Sequence, residues 1–425
     1  MLSLQLIRDK PDWVEAQLRR RGEADPPVQQ IASLDEKRRK LLVEAEGLRA
    51  RRNEVSRQMR GGAPDAVRAE MRRVGARIAE VERQIGEIDG RLNELMLDLP
   101  NVPDESVPDG TGEDDDVVLA EYGEARRFDF EPKAHWDLGP SLGIIDFERG
   151  VKLSGARFHL LRGGGARLER ALIQWMLDVH VGEHGYLEMN VPYLLREEAL
   201  VWATQLPRFA GNLYHDEESG LWLIPTAESA LAGVYANEII EPGVLPISMV
   251  AYTACFRKEQ FSSGRDIRGI KRLHQFDKVE MFKIVEPGKD MAALDEMVEH
   301  ASDLLRRLEL RFRTKALCAA EISFQAAKTI DLDVWAPGVN EWLEVSSCST
   351  VRDFQARRAN LRFRREPGAR PEFVYELNAS GLALPRLLIA ILETYQEADG
   401  TITVPTVLRP YMGGMERITA IGSSS

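Results

Sequence analysis

The chain has 425 residues, of which 44% are apolar and 29% charged, and its net charge at neutral pH is −12. This length allows one to three domains with sizeable cores, while the acidic balance excludes a protein whose whole surface binds nucleic acid, so any basic region is local. The three cysteines, Cys255, Cys318 and Cys348, lie far apart, which argues against a disulfide framework and a zinc motif.

No segment of the sequence predicts membrane attachment. Residues 1–13 lack the long apolar stretch of a signal peptide, and no run of about 18 apolar residues occurs anywhere in the chain. We therefore expect a soluble cytoplasmic protein without a membrane partner.

The first hundred residues predict a long helical arm. Apolar residues from Val67 to Leu99 are spaced alternately four and three apart, which is the pattern of a heptad seam. An earlier run recurs every seven residues at Leu34, Leu41, Leu48 and Val55, with Met59 nearby. Gly61-Gly62-Ala63-Pro64 separates the two runs as a helix stop and turn. We expect an antiparallel coiled-coil hairpin about 50 Å long.

The arm carries an uneven charge. Residues 37–77 contain 13 Lys and Arg against 5 Asp and Glu, a local charge of +8 on an acidic chain. One interpretation is a solvated coiled-coil surface. The other is a grip on a nucleic-acid phosphate backbone, carried by Arg49, Arg51, Arg52, Arg57, Arg68, Arg72 and Arg73.

A domain boundary follows the arm. Residues 100–116 are rich in proline, glycine and acidic side chains, which is the composition of a linker. We predict an N-terminal domain over residues 1–104 and a second domain over residues 105–425.

The second domain alternates helices with strands. Predicted helices cover Ala166–Val181, Ala227–Glu238, Asp290–Glu309 and Leu387–Gln396. Predicted strands cover Leu187–Leu195, Leu221–Thr226, Val250–Arg257, His274–Val285, Ile330–Trp335 and Trp342–Ser346. Strands in hairpins with helices to one side predict an α+β domain with an antiparallel sheet rather than a doubly wound one.

The segment Cys255–Lys283 predicts a functional hairpin. Residues two apart on a strand face the same side, so Arg257 projects with Glu259, and Phe276 projects with Glu280. A cation, carboxylates and an aromatic ring on one surface suit a bound nucleotide. The alternative is an exposed hairpin whose charges lie in water.

Four segments together resemble the seryl-tRNA synthetase family of class II aminoacyl-tRNA synthetases. They are the T-A-E loop at Thr226-Ala227-Glu228, the motif-two strands around Phe256–Glu259 and Arg272–Glu280, the E-V-S-S-C-S block at Glu344–Ser349, and the motif-three segment Asn378–Arg386. The segment around Pro192 resembles the dimer-forming motif one. The resemblance spans nearly the whole chain, including the arm.

The resemblance implies a fold, a reaction and partners. The fold is the class II antiparallel sheet flanked by helices, with the coiled-coil arm contacting tRNA. The reaction activates L-serine with ATP to seryl-adenylate and then transfers serine to tRNA(Ser). The implied cofactors are ATP and Mg²⁺, and the implied assembly is a homodimer.

The resemblance also implies roles for individual residues. Arg257 would be the catalytic clamp on the α-phosphate and on the serine carboxylate, with L-serine held by Thr226, Ala227, Glu228, Arg257, Glu280 and Ser380. ATP would contact Arg257, Lys258, Glu259, Arg272, Leu273, Phe276, Glu344, Val345, Ser346, Ser347 and Arg386. Mg²⁺ would be held by Glu344 and Ser347. A regular strand places these two residues on opposite faces, so the strand must bend or end between them.

The chain departs from the family pattern at Phe261, Ser229, Thr350 and Pro385. Phe261 is bulky in a loop that, in the family, approaches the tRNA end, and Pro385 implies a late helix start or an offset of Arg386. Two alternatives therefore stay open. One is an active paralogue specialised for resistance to a serine-analogue inhibitor or for supplying seryl-tRNA to a biosynthetic pathway. The other is a non-catalytic tRNA-binding protein.

Overall fold

The structure is a computed structural model that describes residues 1–58, 64–259 and 268–422. Three features of the sequence lie outside these ranges, namely Met59, the predicted turn at Gly61–Ala63, and Phe261. The chain divides into two compact units, Met1–Val102 and Pro103–Ser425. Within the described ranges, no helix is long and apolar enough to cross a membrane.

Helices make up the first unit. They are α1 (Leu4–Asp9), α2 (Pro11–Arg20), α3 (Val28–Gln58) and α4 (Asp65–Asp98). Interhelical ion pairs link Arg38 to Asp89, Arg49 to Glu82 and Arg51 to Glu70. Residue numbers rise along α3 as they fall along α4, so the helices run antiparallel, and the predicted coiled-coil arm is confirmed. The 34 residues of α4 correspond to about 51 Å at 1.5 Å per residue.

The seam of the arm is apolar along α4, where Val74, Ile78, Val81, Ile88 and Leu92 are buried. The base differs from the predicted heptad pattern: Leu34 is only half-buried, and its neighbour Asp35 is 2% exposed. Arg8 donates to Asp35 from 2.9 Å and Arg39 from 3.1 Å. A buried carboxylate is tolerated when it is paired, which explains how this position departs from an apolar heptad.

The second unit contains the following strands: β1 (Val117–Tyr122), β2 (Ile145–Asp146), β3 (Leu160–Leu161), β4 (Leu187–Glu188), β5 (Leu194–Leu195), β6 (His215–Asp216), β7 (Leu221–Leu223), β8 (Ile239–Ile240), β9 (Ile247–Phe256), β10 (Gln275–Val285), β11 (Phe312–Ala316), β12 (Lys328–Ala336), β13 (Glu341–Arg352), β14 (Arg362–Phe363), β15 (Glu372–Phe373), β16 (Tyr375–Ala383), β17 (Ile402–Thr403) and β18 (Arg417–Ile418). Its helices are α5 (His135–Ser141), α6 (Phe147–Ser154), α7 (Gly164–Gly182), α8 (Glu197–Trp202), α9 (Glu228–Leu231), α10 (Asp290–Arg307), α11 (Phe354–Ala359) and α12 (Leu384–Thr394).

The main sheet has, in the described residues, eight strands in the order β1-β11-β12-β13-β16-β10-β9-β4. Its pairs are antiparallel except the edge pair of β4 with β9, which is parallel. One face of the sheet packs against α7, α10 and α12 in a continuous apolar core. The predicted α+β fold with an antiparallel sheet flanked by helices is therefore confirmed.

The strand β10 shows how the two faces differ. Val279 and Met281 point into the core under the helices, while Phe282 and Ile284 join a second apolar cluster that includes residues of α8, α9 and α11. Glu280 faces the same side as Phe282, because side chains two apart share a face. The period-2 pattern of this strand thus separates structural side chains from those available to a site.

Several predicted elements are wrong in extent: the strand expected over Trp342–Ser346 continues to Arg352, and two other elements are interrupted or shortened. The single strand expected over Leu187–Leu195 is two short strands, β4 and β5, in different sheets. Pro192 lies between them and has no N–H for a ladder hydrogen bond. The helix expected over Ala227–Glu238 is α-helical only at Glu228–Leu231. Beyond it, the Asn237 N–H bonds the Ala359 carbonyl at 2.7 Å, a tertiary contact that replaces the helical one.

Candidate active site

A cavity of about 470 Å³ opens on the sheet face opposite the helical core. Most of the predicted site residues line it together: Thr226, Glu228, Arg257, Glu259, Arg272, Leu273, Phe276, Glu280, Glu344, Ser347, Ser380 and Arg386. They come from sequence positions up to 160 residues apart and meet because β10, β13 and β16 are neighbours in the sheet.

Four predicted residues do not line the cavity: Ala227, Lys258, Val345 and Ser346. Ala227 and Val345 are buried in the apolar clusters. The Lys258 N–H donates to the Asn212 carbonyl at 2.9 Å. The Ser346 hydroxyl donates to the Ser380 carbonyl at 2.6 Å and so supports the strand beside the cavity.

The cationic wall of the cavity is built on the β9–β10 hairpin. The two strands pair antiparallel from Gln275 opposite Phe256 to Ile284 opposite Ile247. Arg257 follows β9; its Nε donates to the Pro225 carbonyl at 3.2 Å, and its guanidinium lies 5.1 Å from the centre of the Phe276 ring. The arginine is thereby held at its Nε, while its terminal nitrogens are oriented by the ring face.

Glu259 lies beside this wall in an unusual backbone conformation, with φ at 47°. Its carbonyl accepts a hydrogen bond from Arg157 Nη1 at 3.0 Å, and its carboxylate lies 3.7 Å from Arg272 Nη1. A left-handed glutamate is uncommon and occurs where surrounding contacts hold it. The turn redirects the Glu259 side chain into the cavity with Arg272.

The opposite wall depends on an irregularity in β13. The register with β12 pairs Leu332 with Ser346 and Asp333 with Glu344, which leaves Val345 as an extra residue in a β-bulge. The bulge reverses the alternation, so Glu344 and Ser347 both line the cavity. The break that the sequence required between these two residues is therefore present.

Arg386 closes the same wall. Its Nη1 donates to the Glu344 carbonyl at 3.0 Å and to Glu344 Oε2 at 3.2 Å. Helix α12 begins at Leu384, so Pro385 lies in the first turn. A proline there breaks no helical hydrogen bond, because the first N–H groups have no intrahelical acceptor. The expected conflict between Pro385 and the helix does not arise.

The floor of the cavity holds two buried carboxylates, Glu228 and Glu280, which are 5% and 1% exposed. Lys278 forms an ion pair with Glu280. Burial and then the charge of Glu280 raise the pKa of Glu228 to about 7. A carboxylate pair next to one lysine is a negatively biased pocket that suits a ligand ammonium group.

Sequence reasoning gave no role to several polar residues of this floor. Asn378 lines the cavity, and its Nδ2 has no hydrogen-bond partner within the described ranges. It lies two residues before Ser380 on β16, so period-2 alternation could have identified it. Gln325 and Gln355, whose amides both contact Glu228, come from a loop and a short helix, and no local pattern predicts that meeting.

The other departures from the family pattern fall near the site. Ser229 is fully buried, and its hydroxyl has no hydrogen-bond partner in the part of the chain that the structure describes. The Thr350 hydroxyl donates to Asp290 Oδ2 at 3.4 Å, on the helical side of the sheet. Neither residue lines the cavity.

The seven arginines proposed for nucleic acid divide into two groups on the arm. Three are in ion pairs: Arg49 with Glu82, Arg51 with Glu70 and Arg68 with Asp65. The side chains of the other four are exposed and form no ion pair or hydrogen bond with any described residue: Arg52, Arg57, Arg72 and Arg73. Of the seven arginines, these four have no described carboxylate partner and remain available for a phosphate.

Two family models match the chain. Residues 1–103 match the seryl-tRNA synthetase N-terminal domain, and residues 211–395 match the tRNA synthetase class II core domain of the G, H, P, S and T enzymes. The serine–tRNA ligase of Thermomicrobium roseum is 55% identical over 98% of this chain and 95% of its own length.

Solved structures agree with this match. Seryl-tRNA synthetase from Pyrococcus horikoshii, complexed with ATP, superposes with a TM-score of 0.94 at 35% identity, covering 99% of this chain and 100% of that one. The cytoplasmic serine–tRNA ligase of Naegleria fowleri, in complex with AMP, gives a TM-score of 0.90 at 27% identity and covers 99% of both chains.

Proposed function

Because this chain belongs to the seryl-tRNA synthetase family, we propose that its cavity joins L-serine to ATP and then transfers the serine to tRNA(Ser). The observation that carries the proposal is the meeting of Arg257, Phe276, Glu228 and Glu280 in one cavity. A phosphate-binding cation, a ring for adenine and a carboxylate floor for an ammonium are the groups that an amino-acid activating site needs.

In the first step, a serine carboxylate oxygen attacks the α-phosphorus of ATP, and the bond to the pyrophosphate leaving group breaks. Arg257 binds the α-phosphate and the serine carboxylate together, which brings two anions into contact and neutralises charge that grows at phosphorus. Its bond to the Pro225 carbonyl holds the guanidinium in place before substrates arrive. No side chain needs to form a covalent bond.

The adenine end of ATP is bound by stacking and one carboxylate. Phe276 and Arg386 cover the two faces of the base, and Glu259 accepts a hydrogen bond from its amino group. Arg272, next to Glu259, contacts the outer phosphates. Lys258, Leu273, Val345 and Ser346 shape the site through their backbones and packing.

The cavity also contains oxygen ligands that suit Mg²⁺. Glu344 and Ser347 present oxygen ligands in the same cavity because of the β13 bulge, and Mg²⁺ in phosphate sites takes few protein ligands and keeps several waters. Bound there, the ion would neutralise phosphate charge. Arg386 contacts Glu344 and would orient this carboxylate toward the phosphates.

Serine is selected by the floor of the cavity. Glu228 and Glu280 accept hydrogen bonds from the ammonium and the hydroxyl, and Thr226 and Ser380 complete the polar lining. Alanine lacks the hydroxyl and would leave buried polar groups unpaired, which disfavours it strongly. In the second step, a ribose hydroxyl of the terminal tRNA adenosine attacks the seryl carbonyl, and AMP leaves.

We assign tRNA binding to residues 1–104 and catalysis to residues 105–425. The free arginines of the arm support contact with a phosphate backbone. We also propose a homodimer, on the resemblance of the segment around Pro192 to motif one; light scattering that gives the mass of a monomer would refute it.

The decisive experiment separates the two half-reactions. Serine-dependent exchange between ATP and pyrophosphate measures adenylate formation, and charging of tRNA(Ser) measures transfer. We expect both activities in the full chain, and loss of charging with retained exchange when the arm is removed. Absence of exchange would favour the non-catalytic tRNA-binding alternative, and exchange that resists a seryl-adenylate mimic would favour the specialised paralogue.

A further inference from the structure

Gln355 lies behind the cavity rather than in it. It is the second residue of α11 and is fully buried. Its Nε2 donates to Glu228 Oε1 at 2.7 Å and to the Ala203 carbonyl at 3.3 Å. Gln325 Nε2 donates to the same Glu228 oxygen at 3.3 Å. One carboxylate oxygen of Glu228 is therefore occupied by two amide groups.

The second oxygen of Glu228 has a different environment. No described residue donates a hydrogen bond to it, and Glu228 lines the cavity. The two amides thus hold the carboxylate from behind and leave one oxygen for a ligand. A buried side chain held at one end in this way has little freedom to rotate, so its position is set before the ligand binds.

We propose that Gln355 is a positioning residue for amino-acid recognition: through Glu228, it sets the affinity of the site for the serine ammonium group. The inference rests on the proposed function, since it assigns Glu228 to the ammonium. Gln355 touches no substrate itself. It acts by orienting the Glu228 carboxylate and by favouring its charged form.

The electrostatics of the floor make this support necessary. Among the described residues, Glu280 and Lys278 on β10 and Glu376 on β16 interact electrostatically with Glu228. Burial and Glu280 raise the pKa of Glu228, while the hydrogen bonds from Gln355 and Gln325 and the charge of Lys278 lower it. Without the Gln355 amide the pKa would rise further, and the carboxylate would lose charge at neutral pH.

The test is Gln355→Met, which keeps the side-chain volume and removes the donor. In pyrophosphate exchange we expect the KM for serine to rise about tenfold or more, as for a lost hydrogen bond to a charged group, while the KM for ATP stays unchanged. The acidic limb of the pH profile of kcat/KM for serine should move to higher pH. Gln325→Met, which loses the longer bond, should give a smaller change in the same direction.

The matched control is Gln396→Met. Gln396 is also buried, and its amide donates to the Lys133 and Glu393 carbonyls at 3.0 and 2.8 Å. It does not line the cavity. This variant should lower the melting temperature without changing the KM for serine or the pH profile.

A double-mutant cycle with Glu228→Gln completes the test. If Gln355 acts through Glu228, then Gln355→Met should have little further effect on the KM for serine in that background. An unchanged serine KM and pH profile in Gln355→Met would overturn the inference. If Gln355→Met does not fold, an unchanged KM for serine in Gln325→Met would also overturn the inference. Failure of the proposed function is distinguishable, because the unmodified chain would then show no serine-dependent exchange.

Discussion

The free arginines of the arm give a prediction that separates the two half-reactions. We consider the quadruple variant Arg52→Gln, Arg57→Gln, Arg72→Gln and Arg73→Gln. All four side chains are exposed and lack ion pairs with described residues. Glutamine keeps a good helix propensity, so the fold and the stability of the arm should change little.

The size of the effect follows from counting phosphate contacts. Each arginine that neutralises one phosphate contributes about 0.9 to the slope of log affinity against log salt concentration. The loss of four contacts should lower the magnitude of that slope by about 3 to 4. A fourfold increase in salt should therefore weaken tRNA binding by the quadruple variant about 100-fold less than it weakens binding by the unmodified chain. At low salt, the KM for tRNA should rise strongly.

The assay measures tRNA charging and pyrophosphate exchange at several salt concentrations. Charging should fall and become less dependent on salt, while exchange stays unchanged because the arm takes no part in adenylate formation. The control compares two double variants. One carries Arg72→Gln and Arg73→Gln, and the other carries Arg83→Gln and Arg91→Gln. The last two arginines pair with glutamates of their own helix. Equal losses in both half-reactions, or equal effects of the two pairs, would refute the assigned role of the arm.

Three further outcomes are expected in the catalytic unit. Arg257→Lys loses the planar guanidinium and its bond to Pro225, so kcat of pyrophosphate exchange should fall by about 10² to 10³. Circular dichroism should show an unchanged fold. A near-normal kcat would contradict the proposed binding of the α-phosphate and the serine carboxylate by Arg257. Glu280→Ala leaves Lys278 buried without its partner, so the free energy of unfolding measured in urea should fall by about 3–5 kcal/mol. Serine should also no longer raise the melting temperature. An unchanged free energy of unfolding would count against a stabilising ion pair between Lys278 and Glu280. Burial and the charge of Glu228 raise the pKa of Glu376 to about 8. The stability that protonated Glu376 contributes is therefore complete below its unfolded pKa and is lost as pH rises through about 8. Glu376→Gln should increase the free energy of unfolding at pH 9 by on the order of 4 kcal/mol more than it does at pH 5. Equal increases at both pH values would disprove the raised pKa of Glu376.

Much of the site was predictable because strands impose a period of two. Phe276 and Glu280 could be grouped from their spacing on β10, and the hairpin that carries them has nearly the predicted bounds. Arg257 and Glu259 lie beyond the end of β9, so strand alternation does not explain why both line the cavity. The heptad seam predicted the arm in the same way. In both cases, the side chains that share a face are set by local geometry.

Other parts of the site could not be predicted, because they depend on contacts between distant segments. The joint position of Glu344 and Ser347 needs a β-bulge whose location follows from pairing with β12. The helix expected over Ala227–Glu238 ends at Leu231, and further along the chain Asn237 bonds the distant Ala359. Asp35 is buried among apolar heptad positions only because Arg8 and Arg39 reach it.

The sequence by itself determined the antiparallel arm, the strands of the hairpin and the chemical groups of the site, since each depends on residue type and short-range periodicity. Only the tertiary structure decided which of those groups meet, which arginines of the arm are free, and how Glu228 is held from behind by Gln355. The physical reason is that sheet neighbours and buried hydrogen bonds join residues far apart in the chain. Their partners are selected by packing and by the cost of leaving buried polar groups unpaired.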